Sequence, residues 1–154
     1  MKNVEIHPTA IISESVKIGE GSIVGAYAIL EGEITLGKNC KVEPHAIIKG
    51  HLKAGDGNHF YQFCSIGEAP QDISYNREET WVRIGNNNTF REYVSVHRGT
   101  LKQDKQTLIG DDNLLMAHAH IGHDSIVGNK CIIVNSANIA GHVVIKDKVI
   151  LSGA

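Results

Sequence analysis

Ile121-Gly122-His123-Asp124-Ser125-Ile126-Val127-Gly128-Asn129-Lys130-Cys131-Ile132-Ile133-Val134-Asn135-Ser136-Ala137-Asn138-Ile139-Ala140-Gly141-His142-Val143-Val144-Ile145 is the stretch that decides the fold. A large apolar residue returns every six positions, at Ile121, Val127, Ile133, Ile139 and Ile145. The register extends back through Leu115 to Ile109 and forward to Leu151. Further upstream the same beat runs from Ile6 through Ile12, Ile18, Val24, Leu30, Leu36, Val42, Ile48, Ala54 and Phe60 to Ile66, then resumes at Ile84, Phe90 and Val96. The fourth residue after a beat is usually small or β-branched, as at Val16, Ser22, Ala28, Cys40, Ala46, Ala119, Ser125, Cys131 and Ala137. Gly often follows the beat directly, as at Gly19, Gly37, Gly110, Gly122 and Gly128. A helix would repeat its apolar positions at three and four residues, and no long window does so. The pattern predicts short strand, turn, short strand, with the beat residue filling a core and the small residue fitting a crowded corner.

This pattern resembles the hexapeptide-repeat family, whose fold is a left-handed parallel β-helix. The fold class expected is therefore all-β, one solenoid domain over residues 1–154, with three hexapeptides to a coil of eighteen residues. The handedness is implied by the resemblance, since it runs against the usual right-handed crossover. Two interruptions break the beat, and they predict extruded polar loops at about 72–83 and 102–108.

Composition excludes several functions. A net charge of −2 gives no electrostatic case for nucleic acid. No apolar run reaches membrane-spanning length, and no charged-then-apolar leader opens the chain, so the compartment expected is the cytoplasm. Cys40, Cys64 and Cys131 all fall on the small-residue position, which makes them core residues and not a disulfide framework or a zinc site.

Removing the two interruptions aligns Ile66, Val96, Ile121 and Ile139 on one face of successive coils. Their segments carry residues that a repeat does not require: Glu68 to Gln71, His97-Arg98, His123-Asp124 and Gly141-His142. His123 plus eighteen is Gly141 and Asp124 plus eighteen is His142, so each pair is expected to stack at one strand spacing, about 4.8 Å.

Five motifs in order, Gln71-Asp72-Ile73-Ser74-Tyr75, Val96-His97-Arg98-Gly99-Thr100, Asn113-Leu114-Leu115-Met116, His120-Ile121-Gly122-His123-Asp124 and Ala140-Gly141-His142-Val143, are similar to those of the bacterial UDP-N-acetylglucosamine O-acyltransferases of lipid A synthesis. The resemblance covers nearly the whole chain. It implies transfer of a 3-hydroxyacyl chain from acyl carrier protein to the sugar 3-hydroxyl, with UDP-N-acetylglucosamine and the carrier protein as partners, a homotrimer, and no cofactor. It implies His123 as general base, Asp124 as its neighbour and the Gly141 N–H as oxyanion donor. Gln71, Asp72, His97, His120 and His142 match substrate-lining positions. An imidazole suits the work because it takes and returns a proton near neutral pH. No protein nucleophile is called for, so direct transfer is expected. Ser74 stands where the family usually has Lys, and Arg77 is the candidate to supply that charge. His118 stands where Asn is common. The repeat stops at Leu151-Ser152-Gly153-Ala154, in mid-coil, so the further coils and C-terminal helical domain of that family are expected to be missing by truncation.

Three other readings stay open. His118, His120, His123 and His142 could suggest zinc, as in carbonic anhydrases of the γ class, although Gly128 stands where their pattern needs a second His. The chain could be another hexapeptide sugar acyltransferase. It could also be a non-catalytic trimeric scaffold or a truncated remnant.

Overall fold

A computed structural model describes residues 3–152, and within them every strand pairing is parallel. One eight-stranded sheet gathers a strand from each turn: Glu5–Ile6, Ile23–Val24, Lys41–Val42, His59–Phe60, Thr89–Phe90, Leu114–Leu115, Ile132–Ile133 and Ile150–Leu151. This is the first face of a prism. The second face holds Ile11–Ile12, the start of Ile29–Leu36, the start of Ile47–Ala54, Ser65–Glu68, Ser95–His97, His120–Ile121 and Asn138–Ile139. The third holds Lys17–Ile18, the ends of the two long strands, Trp81–Ile84, Gln106–Ile109, Ile126–Val127 and Val144–Ile145. The fold is the left-handed parallel β-helix. The beat residues fill its bore, and Leu30, Ile48, Phe60, Ile66, Phe90, Val96, Leu115, Ile121 and Ile133 are all fully buried. Ile6, in the first described coil, is exposed. Cys40, Cys64 and Cys131 are buried free thiols at corners, and burial pushes Cys64 up to about 12.

Two features differ from the sequence pattern. The strands Ile29–Leu36 and Ile47–Ala54 run unbroken round the corner between faces two and three, where short strands were expected. Gly32 and Gly50 make that bend with φ of 120° and 76°, values that a side chain disfavours. The loops also sit earlier than expected. Strands resume at Trp81 and Gln106, inside the segments 72–83 and 102–108, and the loops occupy 69–80 and 98–105. The reason is the corner residue two positions before each beat: Val82 and Thr107 are fully buried and pair in register with each other, so they belong to the coil.

Ladders of side chains run along the corners. Asn58, Asn88 and Asn113 are buried between faces three and one, and each accepts from the backbone N–H of the next coil, ending at Cys131. Their amide groups donate to Gly55, Gly85, Gly110 and Gly128 carbonyls. At the corner between faces one and two, Tyr27, His45, Phe63, Tyr93 and His118 stack in sequence at 4.8–5.4 Å between ring centroids. The C-terminal end of the repeat at Gly153-Ala154 lies outside the described residues.

Candidate active site

Both loops leave the coil at one corner, between faces two and three, and the next two coils turn that corner with His123-Asp124 and Gly141-His142. The register on face two pairs Ile66 with Val96, Val96 with Ile121 and Ile121 with Ile139, which is the stacking that removal of the loops requires. The corner thus collects residues from four coils.

Asp124 anchors it. Its side chain has no solvent exposure, and its carboxylate accepts from Thr100 N–H at 2.8 Å, Thr100 Oγ–H at 2.7 Å and His123 Nδ1 at 2.8 Å. Its own N–H donates to Thr107 Oγ at 2.9 Å. With a carboxylate on Nδ1, that nitrogen carries the ring proton and Nε2 keeps a lone pair. Adjacency in sequence left open whether Asp124 meets the ring; the structure places its carboxylate on His123 Nδ1. The His123 ring lies against Gly141, where an added Cβ would come within 2.7 Å of Cε1 and 2.8 Å of Nε2. The Gly141 N–H has no hydrogen-bond acceptor among the described residues.

Three further histidines surround the pair. The His142 ring stands edge-on to His123 at 5.1 Å, and its Nδ1 bonds Gln103 Oε1 at 2.9 Å. His120 bonds Ser95 Oγ through Nδ1 at 2.8 Å and meets His97 edge-on at 4.7 Å. His97 is buried, its Nδ1 has no partner, and burial lowers its pKa to about 4, helped by the neighbouring His120, His123 and Arg98. His120 is shifted in the same direction by burial and by His123. Burial therefore disfavours the charged form of both imidazoles on face two beside His123. Asp72 reaches the second loop, where Lys102 Nζ lies 2.6 Å from it, while Gln71 is exposed on the first loop. The cation that meets Asp72 is Lys102.

His123, Asp124 and His142 are the one set of three donors among the described residues close enough to share a metal ion, within 4.8 Å. The other two histidines of the zinc reading lie outside it: His118 closes the aromatic stack and His120 bonds Ser95. His123 and Asp124 are joined by a hydrogen bond, Asp124 Oδ2 being taken by both Thr100 and His123, and His142 bonds Gln103.

Residues 15–50 and 106–141 match the family described as bacterial transferase hexapeptide (six repeats). The chain is 42% identical over 143 residues to the acyl-[acyl-carrier-protein]–UDP-N-acetylglucosamine O-acyltransferase of Thermodesulfovibrio yellowstonii, covering 93% of this chain and 55% of that protein. Its fold superposes on LpxA from Acinetobacter baumannii with a TM-score of 0.94 at 45% identity, covering 96% of this chain and 57% of that one. The UDP-N-acetylglucosamine acyltransferase of Francisella novicida gives a TM-score of 0.94 at 36% identity, covering 96% and 54%. The chain belongs to the UDP-N-acetylglucosamine O-acyltransferase family of hexapeptide-repeat proteins. It spans about half the length of the family members it matches.

Within this family member, sequence reasoning missed Thr100, Gln103 and Lys102 as parts of the corner and Ser95 as the partner of His120 on face two. Thr100 closes the Val96–Thr100 motif and could have been read from it. Gln103 and Lys102 carry no signal in the sequence, because a polar loop residue looks the same whether or not it meets a partner.

Proposed function

We propose that this chain carries the acyl-transfer site of a UDP-N-acetylglucosamine O-acyltransferase, taking a 3-hydroxyacyl chain from acyl carrier protein to the sugar 3-hydroxyl. The observation that carries the reading is the His123–Asp124 pair: a buried carboxylate on Nδ1, with Nε2 left to accept a proton, beside the Gly141 backbone N–H, which has no acceptor among the described residues. His123 Nε2 takes the proton of the sugar 3-hydroxyl as its oxygen attacks the thioester carbonyl. The Gly141 N–H donates to the oxyanion of the tetrahedral intermediate. Collapse breaks the C–S bond, and the departing thiolate recovers the proton from His123. Asp124 holds the ring in one tautomer and stabilises the imidazolium that forms. The transfer is direct, a reading supported by the burial of all three thiols in the coil. Gln71, Asp72, His97, His120 and His142 form the wall against which sugar and acyl chain lie.

The reading includes a homotrimer with sites between subunits. It is supported by apolar side chains beside the corner that nothing in one chain covers: Ile73 is fully exposed and Leu101 is 53% exposed, one on each loop. The setting is the cytoplasm, where reduced thiols persist. Among the described residues no helix is long and apolar enough to cross a membrane.

The deciding assay mixes the protein with UDP-N-acetylglucosamine and hydroxyacyl carrier protein and follows acylated sugar nucleotide. The wild-type chain is expected to form it, and His123→Ala to lose about 100-fold or more in kcat. Undiminished product from His123→Ala would remove the general-base role. No product from wild type would leave a scaffold or remnant.

A further inference from the structure

The two loops that break the repeat are joined to each other by one ion pair. Lys102 Nζ sits 2.6 Å from Asp72 Oδ2, while the Ser74 N–H and Oγ–H both donate to Oδ1 at 2.8 and 2.7 Å. The carboxylate is 7% exposed, although it belongs to a loop that projects from the coil. The Lys102 ammonium and the Ser74 donors hold it well below the usual carboxylate range. Lys102 is also tied inward. Its N–H donates to Thr100 Oγ at 3.2 Å, and Thr100 Oγ–H donates to Asp124 Oδ2, the atom that holds His123. A continuous path of hydrogen bonds therefore runs from the first loop through Lys102 and Thr100 to the His123 imidazole.

We propose that Lys102 is a positioning residue for the sugar-nucleotide site: it clamps the loop bearing Gln71 and Asp72 onto the second loop, beside the corner that carries His123. This rests on the acyltransferase reading and adds to it a residue that the motifs do not contain. An ordinary exposed ion pair contributes little, because solvent competes for both charges. Here Lys102 is 53% exposed, but the Asp72 side chain keeps little exposure and every contact to its carboxylate is a directed donor, so the pair acts through geometry. It also fixes a loop that has few other anchors: the Asp72 to Tyr75 turn, the Tyr75 hydroxyl to Arg98 and Glu78, and Glu78 to the Asn76 N–H. Lys102 bonds Asp72 with one of three ammonium protons, leaving two for water or for an anionic group of the substrate.

The test compares Lys102→Met, which keeps the length and removes the charge, with Lys102→Arg, which keeps the charge. Two readouts are taken on the full chain: amide hydrogen exchange over residues 71–75, and kcat and KM for UDP-N-acetylglucosamine. Lys102→Met is expected to speed exchange at the Ser74 amide and to raise KM, each about tenfold, with kcat within about twofold of wild type. Lys102→Arg is expected to recover most of both. Wild-type exchange and KM in Lys102→Met would overturn the proposal. So would a fall in kcat at unchanged KM, or a Lys102→Arg variant as impaired as Lys102→Met. If the wild-type chain makes no product, the acyltransferase reading fails by itself. The exchange readout then decides the clamp alone, supporting it if Lys102→Met loosens the loop and overturning it if the loop is unchanged.

Discussion

Asp124 is a charged side chain without access to solvent, held by three hydrogen bonds to its carboxylate. A buried charge of this kind is tolerable only when its oxygens are satisfied, and Thr100 supplies two of the three donors. Thr100→Val keeps the backbone N–H and removes the hydroxyl, so the carboxylate is expected to loosen its hold on His123. We expect a roughly tenfold fall in kcat with the fold intact by circular dichroism. At Gly141 the constraint is steric. A methyl group there would stand 2.7 Å from His123 Cε1, so Gly141→Ala must displace the ring from its place against the backbone. The expected outcome is at least about a tenfold loss of kcat, with a melting temperature near that of wild type. His97 gives the pH dependence. Burial lowers its pKa to about 4, so the folded protein keeps it neutral where the unfolded chain, with an ordinary value near 6.5, binds a proton. Between those values the unfolded state holds more protons, and stability falls as pH drops from about 6.5 towards 4. Urea unfolding at pH 7 and pH 5 should show this loss, and His97→Gln should reduce it.

The two loops and the corner ladders set the scale above. The sequence places the extra residues correctly to within a few positions, because polar insertions interrupt an apolar beat. It misplaces their edges, because the beat residues alone do not show that Val82 and Thr107, two positions earlier, are already packed in the bore. The Asn58–Asn88–Asn113 ladder was equally hidden: three asparagines spaced by thirty and twenty-five residues form no visible repeat until the loops are removed. Asn88 is the middle rung, and it serves the Asn58 carbonyl, the Gly110 carbonyl and the Asn113 N–H. Asn88→Ala would leave the Gly110 carbonyl and the Asn113 N–H without this partner, at about 1–3 kcal/mol for each, while Asn58 Oδ1 keeps the backbone N–H of residue 88. We expect a clear drop in the denaturant midpoint for Asn88→Ala, larger than that of exposed Asn87→Ala on the same turn, where alanine is disfavoured only by the φ of 56° and the loss of one exposed bond.

At the scale of the whole molecule, the prism presents surface that one chain does not cover. Five rings stack along one corner, with Tyr27, Phe63 and Tyr93 about half exposed, and Ile73 and Leu101 stand open on the two loops. The trimer reading predicts a solution mass of about 50 kDa, three times the 16.7 kDa chain, by light scattering. A monomer at micromolar concentration would remove the intersubunit site. The sequence by itself determined the coil, because a six-residue apolar beat has one economical burial: every beat residue enters a common bore, and eighteen residues return the chain to the same face. It also determined the stacking of His123 on Gly141, since these lie one uninterrupted coil apart. Only the tertiary structure decided how the corner is wired. The bonds from Thr100 to Asp124, Gln103 to His142 and Lys102 to Asp72 cross between coils through loops of irregular length. No period relates such residues, and their meeting depends on backbone paths that periodicity does not encode.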